Sequence, residues 1–289
     1  MEYILHLLIL IGIYAILAQS LTLVAGYTGM VSLAHAGFYG IGAYTAALLS
    51  VNFQVPFLLV IPIAMLFSGV IALAVSVIAL RTVEDYFIIC TLGIQVIIFS
   101  LMNNWMELTN GPLGIPGIPD LTIFGYKFSD KIPFLLLTFS IAGIIFYIIK
   151  NITSSNFGLL LKAISEDEIF TQSLGKNVYR TKVMTFVFGA MIASIPGILY
   201  AHYITYIDPT SFTVDESIFI LSIVIIGGIR SLWGSVFAAA FLILLPEGLR
   251  FIGLPEDVAA NLRQILYGTI LVAVMFKYSK GFVANSKKT

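Results

Sequence analysis

Apolar residues run almost without interruption along this chain, and polar residues gather in a few short breaks between them. Segments of near-spanning length fall at 3–25, 32–49, 56–80, 86–103, 133–150, 183–206, 217–230, 234–250 and 263–280. A helix needs roughly 20 residues to cross the hydrocarbon core, with about 17 as a lower limit. The pattern therefore predicts an all-α polytopic membrane protein with nine crossings, within a range of eight to ten, some of them broken. The run at 217–230 is too short for a full crossing and predicts a half-helix. Residues 1–289 read as a single transmembrane domain, with an extracytoplasmic loop at 104–131 and a cytoplasmic loop at 151–182.

The longest polar break with helical character is Asn156–Lys182, NFGLLLKAISEDEIFTQSLGKNVYRTK. It holds Lys162, Lys176, Arg180 and Lys182 beside an acidic cluster, Glu166, Asp167 and Glu168. Ser165 stands three residues before Glu168, the spacing of a capping box, and Gly175 follows Leu174 where a helix would end. These signals bracket a short helix with an apolar edge of Ile169, Phe170 and Leu174. A helix of this kind either packs back on its own bundle or offers that edge to a partner.

Two glycine-rich stretches interrupt apolar segments about 200 residues apart, Gly26–Gly37 in one half and Gly227–Ser235 in the other. Interrupted hydrophobic segments in both halves point to a transport site built on broken helices. Irregular backbone at membrane depth is tolerated only where protein or a water-lined cavity covers it. The plainer alternative is a pair of short turns whose small residues let helices approach closely. The candidate pathway residues are Gln19, Thr22, Gly26, Gly29, Ser32, His35, Gly37, Gly227, Gly228 and Ser231. Gln19, Ser20 and Thr22 argue that the first span faces protein or water rather than lipid. A lone histidine such as His35 more commonly serves packing than a proton relay. In the longest outer loop, Asn110–Asp120 places three prolines and three glycines in eleven residues, which excludes regular helix and favours a stiff surface.

Composition narrows the class. The chain is 59% hydrophobic and 10% charged, where soluble domains carry about 25% charged residues, and its mean hydropathy is +1.02. The formal charge of zero gives no reason to expect nucleic-acid binding. Cys90 stands alone, so no internal disulfide is expected. Glu2 and the long apolar run behind it do not read as a cleaved signal. With nine crossings and the C-terminus inside, eleven of the fifteen basic residues fall in inside segments, which follows the positive-inside rule. No metal-ligand spacing, nucleophile elbow or phosphate-binding loop is present: Gly175-Lys176 lacks both the upstream glycine and a following Ser or Thr. The expectation is a chain that is not an enzyme and holds no metal. Few charges within the spans also argue against a proton- or sodium-coupled carrier.

Three motifs in order give the chain a resemblance to a known family. Ala163–Glu168 followed by Leu174-Gly175 is one, with departures at Ser165 and Asp167 and with Phe170 and Thr171 where small residues are usual. Asn104-Trp105, Thr109, Gly111-Pro112 and Gly114–Pro119 make the second. The third is Gly227–Gly234, with Arg230 in place of a glycine. Together they resemble the membrane permeases of ABC-type importers for branched-chain amino acids. That resemblance implies a coupling loop at Glu166, Asp167, Glu168, Ile169, Phe170, Leu174 and Gly175, seated in a cleft of an ATPase subunit. It implies an external docking loop at Asn104, Trp105, Gly111, Pro112, Gly114 and Pro116, which would meet a solute-binding protein. The implied assembly pairs the chain with a second permease subunit and two ATPase subunits that bind ATP and Mg, in the plasma membrane of a prokaryote. This chain itself would hold no cofactor. A urea- or short-amide-importing branch looks similar. A stand-alone channel or secondary carrier is the reading from a different class, and it would need no docking helix.

Overall fold

The computed structural model describes residues 2–250 apart from 82–83 and 124–125, together with 268, 269 and 272. The predicted ninth segment apart from those three residues, the acidic pair Glu256 and Asp257, and the basic residues from Arg263 onward lie outside the described residues. Each of the eight earlier segments corresponds to a helix.

Helix α1 (Glu2–Leu21) ends in a wider π-helical turn, Thr22–Gly26, and after an irregular stretch the chain enters α2 (His35–Asn52). Helices α3 (Phe57–Ala79) and α4 (Glu84–Asn104) form a hairpin of apolar helices. A loop follows with the short α5 (Met106–Thr109), a 3₁₀ turn at Gly111–Leu113, and strands β1 (Ile115–Pro116), β2 (Thr122–Ile123) and β3 (Tyr126–Lys127). Helix α6 (Lys131–Ser154) crosses back to α7 (Asn156–Glu166) and α8 (Glu168–Ser173). Helix α9 (Val178–Ile204) leads to β4 (Tyr206–Ile207), a 3₁₀ turn at Pro209–Phe212, α10 (Val214–Gly227) and α11 (Leu232–Arg250).

Among the described residues five stretches, Glu2–Gly26, Phe57–Ala79, Tyr86–Asn104, Lys131–Ser154 and Val178–Ile204, are long and apolar enough to cross a membrane. Their burial separates centre from periphery. The first and last are 78% and 61% buried over their most apolar windows, against 22–28% for the other three, so α1 and α9 form the core while α3, α4 and α6 turn apolar faces outward. An outward face as apolar as Leu59, Leu66, Phe67 and Ile78 on α3 suits lipid and not water.

Close packing at the centre relies on small residues. Gly42 of α2 lies on the backbone of Ser194 in α9, and Gly197 of α9 lies on the backbone of Tyr39 and Ala43. Ser68 Oγ of α3 donates to the Ala190 carbonyl of α9 at 2.8 Å. Bilayer helices gain little by burying oil against oil, so backbone proximity and interhelical hydrogen bonds carry the association.

The end of the bundle holding the 105–130 loop is called the upper face here, and the end holding α7 and α8 the lower face. Lys131 pairs with Glu2 at 3.0 Å on the upper face. β1 pairs antiparallel with β4, and β2 with β3.

Candidate translocation path and docking edge

At Thr28 the chain has reached the lower face, yet α2 does not begin there. The irregular residues 29–34 climb back into the bundle, and all but Gly29 and Val31 are buried. His35, the first residue of α2, places Nε2 3.0 Å from Ser20 Oγ. Ser20 lies six residues above Gly26 on α1, roughly 9 Å at 1.5 Å per residue, so α2 starts inside the bundle. Its free amides find partners on other helices. Thr91 Oγ1 of α4 accepts from Leu33 N at 3.1 Å, Gln95 Oε1 of α4 from Gly37 N at 2.6 Å, and Ser217 Oγ of α10 from Ala36 N at 3.0 Å. Buried irregular backbone persists because these side chains satisfy it.

A second break enters from the opposite face. After β4, Asp208 caps the Pro209–Phe212 turn by accepting from Ser211 N at 3.1 Å. Phe212 is fully buried among Tyr39, Tyr44 and Tyr200, and Gln95 Nε2 donates to its carbonyl at 2.8 Å. Helix α10 begins two residues later. The N-termini of α2 and α10 therefore meet in the interior and run apart to opposite faces. Each brings the positive end of a helix dipole to that meeting point, the arrangement that broken-helix transport sites use.

The structure sorts the predicted pathway residues. Gln19, Thr22, Ser32 and His35 are buried in this interior, and Gly37 lies against Gln95 and Ile98. Gly227 and Gly234 meet backbone to backbone where α10 crosses α11. Gly228 has a positive φ of 98° in the turn between them, which Ser231 closes by donating its amide to the Gly228 carbonyl at 2.8 Å. Arg230, in the place of a family glycine, keeps an ordinary φ, so the side chain there costs no strain. Gly26, Gly29 and Ser231 instead open on a cavity of about 1170 Å³ at the lower end, together with Tyr27, Lys162 and Arg230.

Arg230 ties this cavity to the lower loop. Its Nε donates to the Gly26 carbonyl at 3.2 Å, Nη1 to Glu166 Oε1 at 3.2 Å and Nη2 to Ser165 Oγ at 2.6 Å. One side chain thus bridges the α10–α11 turn, the end of α1 and the end of α7.

The lower helix differs from the sequence expectation in its cap. Ser165 lies within the last turn of α7 and donates to the Lys162 carbonyl, while Asp167 is the N-cap of α8, accepting from Phe170 N at 2.8 Å. Glu168 pairs with Lys182 instead of closing a capping box. The reason is that α7 continues through Glu166, which leaves Asp167 as the first extended residue. Gly175 ends the helix as expected, at φ 75°, donating its amide to Gln172 O at 2.9 Å. Thr171 faces the bundle and is buried, whereas Ile169, Phe170 and Leu174 are 79%, 62% and 62% exposed. Of the two readings of this edge, packing back on the bundle is the one this exposure disfavours.

On the upper face the predicted stiff loop is pinned at several points. Asn110 Nδ2 donates to the Gly114 carbonyl at 2.8 Å, Ile118 N to the Thr205 carbonyl at 3.1 Å, and Tyr206 OH to the Leu113 carbonyl at 3.2 Å. Gly111 and Gly114 are buried beneath it, while Asn104, Trp105, Pro112 and Pro116 are exposed.

A family described as branched-chain amino acid transport system / permease component matches residues 3–275. The chain belongs to this family. Among similar proteins, the high-affinity branched-chain amino acid transport system permease proteins LivM of Escherichia coli and of Salmonella typhimurium are each 34% identical over 261 residues, covering 82% of this chain and 61% of theirs. The chain thus spans about three-fifths of the length of these LivM relatives. The permease protein LivH of E. coli is 27% identical over 249 residues, covering 79% of each chain. No solved structure matches. Sequence reasoning missed three polar residues near the meeting point of α2 and α10: Thr91, Gln95 and Glu216. Asp215 and Glu216 in the first turn of α10 are the acidic start signal of a helix, and that signal could have found the last of them.

Proposed function

We propose that this chain is the membrane-spanning permease subunit of an ATP-driven importer that carries leucine, isoleucine and valine. The observation that carries this reading is the family match along residues 3–275, supported by the names of the LivM and LivH relatives. A second permease pairs with it, two ATPase subunits supply hydrolysis with ATP and Mg bound on their side, and a solute-binding protein delivers cargo. The exposed edge of α8 suits a cleft in an ATPase, and the pinned upper loop suits a binding protein. Arg230 then links nucleotide-driven movement of α7 and α8 to the end of α1 and to the lower cavity, which serves as the exit vestibule. The test is reconstitution of the tagged chain with its co-purifying subunits and binding protein in vesicles. ATP-dependent leucine uptake is the expected result. Uptake of urea without leucine would move the cargo to short amides, and uptake without any ATPase would make the chain a channel or carrier.

The lower face is cytoplasmic in this reading. Lys176→Cys is expected to react with an impermeant thiol reagent only in inverted vesicles, and Pro116→Cys only in intact cells. Labelling of position 176 from outside intact cells reverses the orientation.

Arg230→Gln separates linkage from stability. Half-exposed ion pairs contribute about 0–1 kcal/mol, so the variant is expected to melt near the wild type. Its leucine uptake per ATP hydrolysed is expected to fall several-fold. An unchanged ratio removes Arg230 from the coupling path.

A further inference from the structure

Among the described residues, five buried side-chain atoms lack a hydrogen-bond partner: Gln19 Oε1, His35 Nδ1, Tyr39 OH, Tyr44 OH and Glu216 Oε1. They sit on three helices, α1, α2 and α10, and the N-termini of the last two build the interior meeting point. Glu216 is the charged member. Tyr14 of α1, Tyr39 of α2 and Tyr200 of α9 lie around its carboxylate. Its next neighbour in sequence, Ser217, holds the Ala36 amide at the start of α2. The described basic side chains with recorded partners are engaged elsewhere: Lys131 with Glu2, Lys182 with Glu168, and Arg230 with Glu166.

A buried carboxylate oxygen with no partner is costly, and such groups within membrane spans persist where they serve a ligand or a path. Two ligand properties follow from the surroundings. A positive hydrogen-bond donor is needed to satisfy Glu216 Oε1. The aromatic wall of Tyr39, Tyr200 and Phe212 favours a cation with apolar groups attached. The adjoining N-termini of α2 and α10 favour a negative group close to that cation. A zwitterionic α-amino acid with an apolar side chain carries all three.

We propose that Glu216 is the counter-ion for the ammonium group of an α-amino acid passing the meeting point of α2 and α10. This deepens the importer reading above and rests on it. It places one carboxylate on a path through spans that hold few charges. Branched side chains gain little discrimination from such a station, since one methylene in an apolar pocket changes rates only about 10–200-fold. The station reads the amino-acid backbone, and the choice among side chains falls to the binding protein.

The experiment uses the reconstituted complex with its binding protein and leucine as the probe. Glu216→Gln is expected to lower maximal leucine uptake at least about tenfold, a loss of 1.4 kcal/mol in transition-state stabilisation. ATPase activity without cargo and the binding protein's affinity for leucine are expected to stay at wild-type values, which a merely structural role would not allow. Where E216Q fails to assemble, Glu216→Asp keeps the charge and retracts it by one methylene. It is then expected to lower uptake several-fold with normal cargo-free ATPase activity. Wild-type uptake in E216Q, or in E216D when that variant is the one assembled, overturns the counter-ion. A proton-gradient requirement in the wild type also overturns it, because Glu216 would then be a proton carrier. A wild-type complex that moves urea and not leucine defeats the cargo reading instead, so the two failures are distinct.

Discussion

Replacing Ile169 and Phe170 together by Asp is expected to abolish ATP-coupled uptake while the chain still folds and reaches the membrane. Both side chains are exposed on α8, so their loss removes little from the fold itself, and surface changes of this kind stay within about 0.5 kcal/mol. The helix is held by other groups: the Asp167 cap, the buried face of Thr171 and the pair between Glu168 and Lys182. At an interface, however, large apolar anchors dominate, and losing one costs on the order of 2 kcal/mol or more. Two such losses, with charge added in an apolar cleft, weaken ATPase binding by roughly a thousandfold. Pull-down of the ATPase and leucine uptake measure this, with membrane level and melting temperature as controls. Gly175→Val probes the same edge through the backbone. No atom lies within 4 Å of the added Cβ, so the cost is conformational alone, about 1–2 kcal/mol for leaving a favoured φ. Gly175→Asn, a residue tolerated in that conformation, is expected to retain most activity. Normal ATPase binding by the double Asp variant would show that α8 is an ordinary surface helix.

Much of the architecture was legible because bilayer physics leaves so few options. Backbone polar groups must be satisfied internally in hydrocarbon, so apolar runs become helices, and each of the eight segments before residue 251 became one. A glycine cluster marked the first break, at residues 26–37, whereas the second, before α10, holds no glycine, and the Gly227–Gly234 cluster marked the turn between α10 and α11. Their partners were not legible, because the groups that cap α2 come from far away in sequence: Gln95 reaches Gly37 across 58 positions and Ser217 reaches Ala36 across 181. Glu216 was hidden by a boundary. The apolar run in the sequence starts at position 217, which leaves the carboxylate outside it, whereas α10 begins three residues earlier at Val214 and draws it inside. Ser165 and Asp167 are both reasonable caps by local chemistry. Only the length of α7, set by its packing on α6 and α9, decides between them.

Gly227→Leu is expected to be the most damaging single substitution at the turn between α10 and α11. The Cβ added at Gly227 would stand on the Gly234 carbonyl, with Ser235 N only 2.6 Å away. Helices α10 and α11 cannot splay to make room, because the Gly228–Ser231 turn joins them directly and α1 packs against both. Overpacking a core usually costs about 1–3 kcal/mol, and that range reflects side chains that can shift. Here the obstacle is backbone on a neighbouring helix, so the loss is expected at or above the top of that range. Arg230 sits within the same turn, so any displacement of α11 also pulls its guanidinium from Gly26, Ser165 and Glu166. The variant should therefore lose both melting temperature and coupling, in contrast to Arg230→Gln, which loses coupling alone. Gly143→Leu on α6 is the matched control, with nothing within 4 Å of the added Cβ and an exposed position. It is expected to melt within about 0.5 kcal/mol of the wild type. Equal melting of the Gly227 and Gly143 variants would mean that α10 and α11 do not cross at Gly227 and Gly234, and the geometry of the α10–α11 turn would have to be redrawn.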